Sequence, residues 1–99
     1  MDRLAKPSFE WDARKDAENQ AKHGVPFVLA QHAVADPRRV IAEAARHSAK
    51  EKWYLGFGHV GEGVLTVRFT HRLGIVRILG AGHWRKGKVI YERENQIHE

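Results

Sequence analysis

The alternation of apolar and polar positions is sharpest between residues 53 and 79. Trp53-Tyr54-Leu55-Gly56-Phe57-Gly58 places Trp53, Leu55 and Phe57 on one side, and Val64-Leu65-Thr66-Val67-Arg68-Phe69-Thr70 does the same with Leu65, Val67 and Phe69. Ile75-Val76-Arg77-Ile78-Leu79 adds Val76 and Ile78. Side chains alternate with period two along a strand, so each run predicts a strand with one buried face. Folding at the glycine-bearing turns 59–63 and 71–74 sets Phe57 opposite Leu65, Leu55 opposite Val67 and Trp53 opposite Phe69. Phe69 then meets Val76, and Val67 meets Ile78. Hairpin-length loops make these neighbours antiparallel. The predicted sheet has one wholly apolar face, while its open face carries a transverse row of Tyr54, Arg68 and Arg77. Like charges directly opposed across a ladder repel. A surface that keeps two arginines side by side suits an anion; the alternative is that a helix covers the row and pairs it with Glu92 or Glu94.

The pattern on either side of the sheet is helical. Asp12 is placed as an N-cap for a helix through Lys22, with Ala13, Ala17 and Ala21 at i, i+4 and i+8. Gly24 stops it, and Lys22 and His23 in its last turn suit the helix dipole. A second helix is predicted from Pro26, at N1, to about Ala35, ended by Asp36-Pro37 because the residue before proline leaves the α region. Arg38 to Ala45 reads as a first strand, His47-Ser48-Ala49-Lys50 as a turn, and residues 1–8 as a loose arm. After Gly80-Ala81-Gly82, a helix is predicted from Trp84 to about Gln96, in which Gly87 costs ~1 kcal/mol. The expectation is one α+β domain over residues 1–99: two N-terminal helices, an antiparallel sheet of three to four strands and a C-terminal helix.

Composition narrows the chemistry. The chain has 99 residues and no cysteine, which excludes disulfides and thiolate metal sites. No apolar run approaches the length of a membrane span, so a soluble cytoplasmic protein is expected. A net charge of +5 favours polyanionic partners: RNA, DNA or an acidic protein. Gly56-Phe57-Gly58-His59-Val60-Gly61 matches G-x-G-x-x-G, but the dinucleotide fingerprint needs a helix after it and here a strand follows. Its glycines are read as turn residues. The seven histidines (23, 32, 47, 59, 71, 83 and 98) show no ligand spacing, so no metal or cofactor is expected. His23 and His83 stand out, each at an element end near basic residues, because histidine titrates near neutrality and suits proton transfer. Arg38-Arg39 and Arg85-Lys86-Gly87-Lys88 are basic groups, and Trp84 beside the second is either a stacking platform for a base or a packing residue.

With these elements in place, the chain resembles the BrnT family of bacterial ribonuclease toxins, related in fold to the RelE toxins. The residues that carry this are Phe9-Glu10-Trp11-Asp12, then Lys15, Asn19, Lys22-His23-Gly24-Val25 and Phe27. Asp36-Pro37, Glu51 with a basic residue at 52, Thr70-x-Arg72, Arg77-Ile78 and Tyr91-Glu92 support it. The resemblance implies a RelE-like fold, metal-independent RNA cleavage, growth arrest, and neutralisation by a BrnA-type antitoxin in a heterodimer or heterotetramer. Operator DNA would be contacted only through that antitoxin. Carried over by position, the functional candidates are Lys22, His23, Glu51, Arg72, Arg77 and Tyr91. The chain departs from the pattern at Gly82, where an arginine is expected, and at Lys52, which cannot make an arginine's bidentate phosphate contact. Arg68, where an apolar residue is expected, and His83 stand as compensating groups; the alternative is a weakened copy.

A ribonuclease can use the substrate's own 2′-OH as nucleophile, leaving the protein to orient the attack, move protons and neutralise phosphoryl charge. Arg77 and Arg72 are assigned to the phosphate, with Arg68 alongside. Glu51 or His23 serves as base and His83 or Tyr91 as acid; an arginine cluster favours an ionised carboxylate and so leans toward Glu51. Lys22, Lys52, Tyr54, Arg68, Trp84, Arg85 and Lys86 are the expected RNA contacts. The competing expectations are a non-catalytic nucleic-acid or antitoxin-binding module, and a subunit that docks an acidic protein without nucleic-acid affinity.

Overall fold

Residues 8–44 and 51–97 are described by the computed structural model. In chain order the elements are β1 (Ser8–Trp11), α1 (Ala13–His23), α2 (Phe27–Val34), β2 (Val40–Glu43), β3 (Tyr54–Val60), β4 (Gly63–Arg72), β5 (Ile75–Gly82) and α3 (Arg85–Glu94). The strands form one sheet in the order β1-β5-β4-β3-β2. The α+β class is as expected, but the sheet differs in detail. It has five strands and is mixed, because β1 runs parallel to β5. A strand also precedes the first helix, and Ser8, expected in a loose arm, begins it. Residues 1–7 and the turn expected at 47–50 lie outside the described residues.

Local chemistry sets the helix ends. The Asp12 carboxylate accepts from the backbone N–H of Arg14 at 2.8 Å and Lys15 at 3.2 Å, capping α1. The Lys15 and then the Arg14 N–H hold its pKa below the usual carboxylate value. Gly24, at φ 70°, closes the helix by donating to the Gln20 carbonyl at 2.9 Å. Pro26 is the N-cap of α2 rather than its first helical residue. No helix among the described residues is long and apolar enough to cross a membrane.

The strand register differs from the predicted one, and the difference reorganises the core. β3 and β4 pair Val60 with Gly63, leaving a two-residue loop, so Tyr54 faces Phe69, Leu55 faces Arg68 and Phe57 faces Thr66. A shift of one residue sends every β3 side chain to the opposite face. Both faces therefore carry a core. On one, Val67, Phe69, Val76 and Ile78 pack with Phe27, Ala30 and Ala33 of α2, and Tyr54 stacks on Phe69 at 5.5 Å between ring centroids. On the other, Phe57 and Val64 pack with Tyr91 of α3, flanked by Leu55 and Ile90. The row Tyr54–Arg68–Arg77 does not form: Arg68 lies between Leu55 and Gly80, and Arg77 opposes Thr70. The β4–β5 register also shifts between Arg68 and Phe69, which leaves Leu79 as the extra residue of a bulge.

Two glycines of the G-x-G-x-x-G segment are strand residues rather than turn residues; of the three, only Gly61, at φ 62°, lies in the turn. A Cβ at Gly58 would overlap the backbone of Ala33, so its absence lets the last turn of α2 lie directly on the sheet. Gly87 does the same for α3, since a Cβ there would fall on the Thr66 hydroxyl and 2.9 Å from Phe57 Cδ1.

Candidate functional site

The face that carries α3 is not fully covered by it. Between α1 and the exposed part of that face lies a cleft of about 560 Å³, a volume suited to a small ligand. Its floor is Leu55, Thr66, Arg68 and the strip Gly80-Ala81-Gly82; its walls are the polar side of α1 and the segment His83-Trp84 that enters α3.

The wall is held to the floor by one side chain. β1 accompanies β5 only as far as Ile78, so beyond that point β5 has no neighbouring strand on its outer side. Asn19 of α1 takes the strand's place. Its Oδ1 accepts from the Ala81 N–H at 3.1 Å, and its Nδ2 donates to the Ala81 and Val25 carbonyls, both at 2.8 Å. Asn19 is only 8% exposed, so these bonds satisfy groups that would otherwise be costly to bury. The clamp fixes Lys22 and His23, one turn further on, over the end of β5.

Arg68 lies along the floor beside Gly80, its Nη2 at an ordinary contact distance of 3.4 Å from where a Cβ of that glycine would sit. The other side of Arg68 rests over the Trp53 ring, 5.1 Å from its centroid, a cation–π contact that orients the group. Trp53 in turn donates its indole N–H to Glu51 Oε1 at 3.1 Å. Gly82 lies beside His23, its would-be Cβ 3.7 Å from His23 Cγ, so the position where an arginine was expected belongs to the same cleft.

Five of the predicted site residues meet here: Lys22, His23, Arg68, His83 and Trp84. Trp84 is 47% exposed, which disfavours the packing role weighed for it. The others are placed elsewhere. Arg77 is held by Glu10, Nη1 to Oε2 at 3.0 Å, Arg72 reaches Glu51 at 3.9 Å, and Lys52 reaches Glu43 at 3.5 Å. Arg85 and Lys86 are exposed at the start of α3 without lining the cleft. Tyr91 is buried on the sheet-facing side of α3, and its hydroxyl donates to Asp36 Oδ2 at 2.7 Å. Burial first, and then the Asp36 carboxylate, push the Tyr91 pKa up to about 12.

Sequence reasoning missed Lys15, Glu18 and Asn19 as cleft residues. With Lys22 they follow i, i+3, i+4, i+7, the spacing of one helix face. Apolar residues at that spacing mark a helix face as buried, and here the stripe is polar.

Three of the thirteen described lysines and arginines are ion-paired. Arg77, Arg72 and Lys52 each face a carboxylate. Lys15, Lys22 and Arg68 have no ion-pair partner among the described residues, although they share one concave site. Unpaired cations gathered in a cleft focus positive potential and invite an anion. In comparison with known proteins, a family model described as "Ribonuclease toxin, BrnT, of type II toxin-antitoxin system" matches residues 11–87. No curated protein matches the chain.

Proposed function

Since the chain belongs to the BrnT family of ribonuclease toxins of type II toxin–antitoxin systems, we propose that the cleft between α1 and the sheet is where it grips and cleaves RNA. The observation that carries this reading is the unpaired state of Lys15, Lys22 and Arg68 inside one concavity that also holds His23 and His83. In this scheme the 2′-OH of the bound ribose attacks the adjacent phosphorus. One histidine accepts the hydroxyl proton, the other protonates the departing 5′-oxygen, and a 2′,3′-cyclic phosphate and a free 5′-OH result. Arg68, braced by Trp53, and Lys22 offset the charge that grows on the phosphoryl oxygens. The geometry favours His23 and His83 over Glu51 and Tyr91 as the proton-transfer pair, because both line the cleft while Glu51 is engaged by Trp53 and Arg72 and Tyr91 by Asp36. The scheme is complete without a metal, and the partner that silences it is read as a BrnA-type antitoxin.

The test is incubation of the purified protein with a defined RNA in chelator, with the product ends identified. Cyclic phosphate ends are expected, and His23→Ala or His83→Ala lowers the rate by about 10²–10⁴-fold. Arg68→Ala abolishes growth arrest in a host lacking the antitoxin. Products ending in a free 3′-OH, or a His23→Ala protein as active as the wild type, would overturn the scheme. A second reading, binding without turnover, draws on Gly82 in place of the expected arginine and gives RNA binding with no product at all.

A further inference from the structure

The polar groups of the cleft differ in what they are free to do. Both ends of the Asn19 amide are committed to backbone atoms of Ala81 and Val25. The Thr66 hydroxyl is buried and lies where a Cβ of Gly87 would sit, so it faces α3 rather than a ligand. Glu18 is different. It supplies the one carboxylate that lines the cleft, and it has no ion-pair or hydrogen-bond partner for that carboxylate among the described residues.

Position gives this carboxylate a meaning. Lys15 precedes it by three residues and Lys22 follows it by four, so all three project from one side of α1. A carboxylate accepts hydrogen bonds at two oxygens and donates none; an ammonium only donates. A base entering the cleft therefore meets two adjacent acceptors with a donor on either side. Guanine is the RNA base whose pairing edge answers this, with N1–H and the N2 amine as adjacent donors and O6 as the acceptor next to them. Adenine and cytosine offer one amine beside a ring nitrogen whose lone pair would face the carboxylate. Uracil offers one N–H between two carbonyl oxygens. An exposed Trp84 ring supplies a face on which the base can stack.

We infer that Glu18 makes the cleft selective for guanine, accepting from N1–H and the N2 amine while Lys15 donates to O6. This rests on the cleft being an RNA site, as proposed above.

The experiment titrates the full chain with the four nucleoside 3′-monophosphates, followed by tryptophan fluorescence. Guanosine 3′-monophosphate is expected to bind about tenfold more tightly than the other three, the discrimination typical of one bidentate base contact. Inosine 3′-monophosphate, which lacks the N2 amine, falls between, and that comparison needs no variant. Glu18→Gln, which keeps the side chain's shape, brings all four within about twofold of one another. Equal affinities in the wild type, or a guanine preference that survives Glu18→Gln, overturn the inference. A wild type that prefers the guanine nucleotide but cleaves no RNA keeps this inference and removes the catalytic reading. One that cleaves RNA while binding all four equally does the reverse, and one that binds none of them removes both.

Discussion

Asp36 shows how much one carboxylate can organise when each of its oxygens is used. Its Oδ1 accepts from the Arg38 N–H at 2.8 Å, and its Oδ2 accepts from the His59 N–H at 2.8 Å and from the Tyr91 hydroxyl at 2.7 Å. The end of α2, the strand β3 and the helix α3 thus meet at one group. Burial raises the Asp36 pKa, but the His59 N–H, the Tyr91 hydroxyl and the Arg38 N–H outweigh it, so the net direction is down from 3.8. A depressed carboxylate stabilises the fold above its unfolded value and loses that stabilisation as pH falls through the lowered one. Tyr91 has the opposite sign: with its pKa raised from 10.0 to about 12, its contribution is complete below pH 10 and declines from there to about pH 12. Tyr91→Phe is therefore expected to cost about 1.5–3 kcal/mol at neutral pH by urea unfolding, the usual range for losing a hydrogen bond to a charged group. It should also flatten the loss of stability between pH 10 and 12. A variant whose alkaline limb matches the wild type would disprove the assignment. At this scale the sequence announced chemistry better than position. His23, Lys22, Arg68, His83 and Trp84 were identifiable by type and neighbourhood. Asn19 and Glu18 were not singled out as site residues, because their roles depend on where β1 ends and leaves the side of β5 open.

Elements were legible where their signals were local. The Asp12 cap, the Gly24 stop and the three apolar strands needed only a few adjacent residues to be read. Register was not legible in that way, because loop length fixes it and the loops here are shorter than the glycine-bearing stretches suggest. Leu73 and Gly74, both at positive φ, complete a turn of two residues, and Gly61-Glu62 does the same for the preceding hairpin. The shift at β3–β4 is odd, so it exchanged faces; that at β4–β5 is even until the bulge at Leu79, so Phe69, Val76 and Ile78 still share a core as expected. Helix propensity alone predicts Gly87 to be a weakness in α3, and the structure shows the opposite. Alanine is the better helix former by about 1 kcal/mol, but its Cβ would collide with the Thr66 hydroxyl and crowd Phe57. Gly87→Ala is expected to lower stability by about 1–3 kcal/mol despite the propensity gain, seen as a drop in Tm. Adding Thr66→Ala removes the hydroxyl from the contested space and should recover part of the loss beyond what the two single changes sum to. A Gly87→Ala chain that melts higher than the wild type would show that α3 does not press on the sheet as described.

Over the whole molecule the question is whether RNA affinity follows the net charge of +5 or the unpaired cations gathered in the cleft. Composition alone could not separate these, since Arg68 and Arg77 look alike in a strand. The fold treats them differently: Arg77 is matched by Glu10 at 3.0 Å, while Arg68 is braced on Trp53 over a floor of backbone. Salt dependence distinguishes the two accounts, because each phosphate neutralised on a single strand contributes about 0.7 to the slope of log Kobs against log salt. Arg68→Gln and Lys22→Gln are each expected to reduce that slope by about 0.7 in a binding titration, and Arg77→Gln to leave it unchanged. All three substitutions remove one positive charge. An affinity governed by the overall field would therefore lose the same amount in each, and only contact at the cleft makes Arg77 the silent one. Equal slopes across the three variants would place the RNA on the general surface and take the cleft out of recognition.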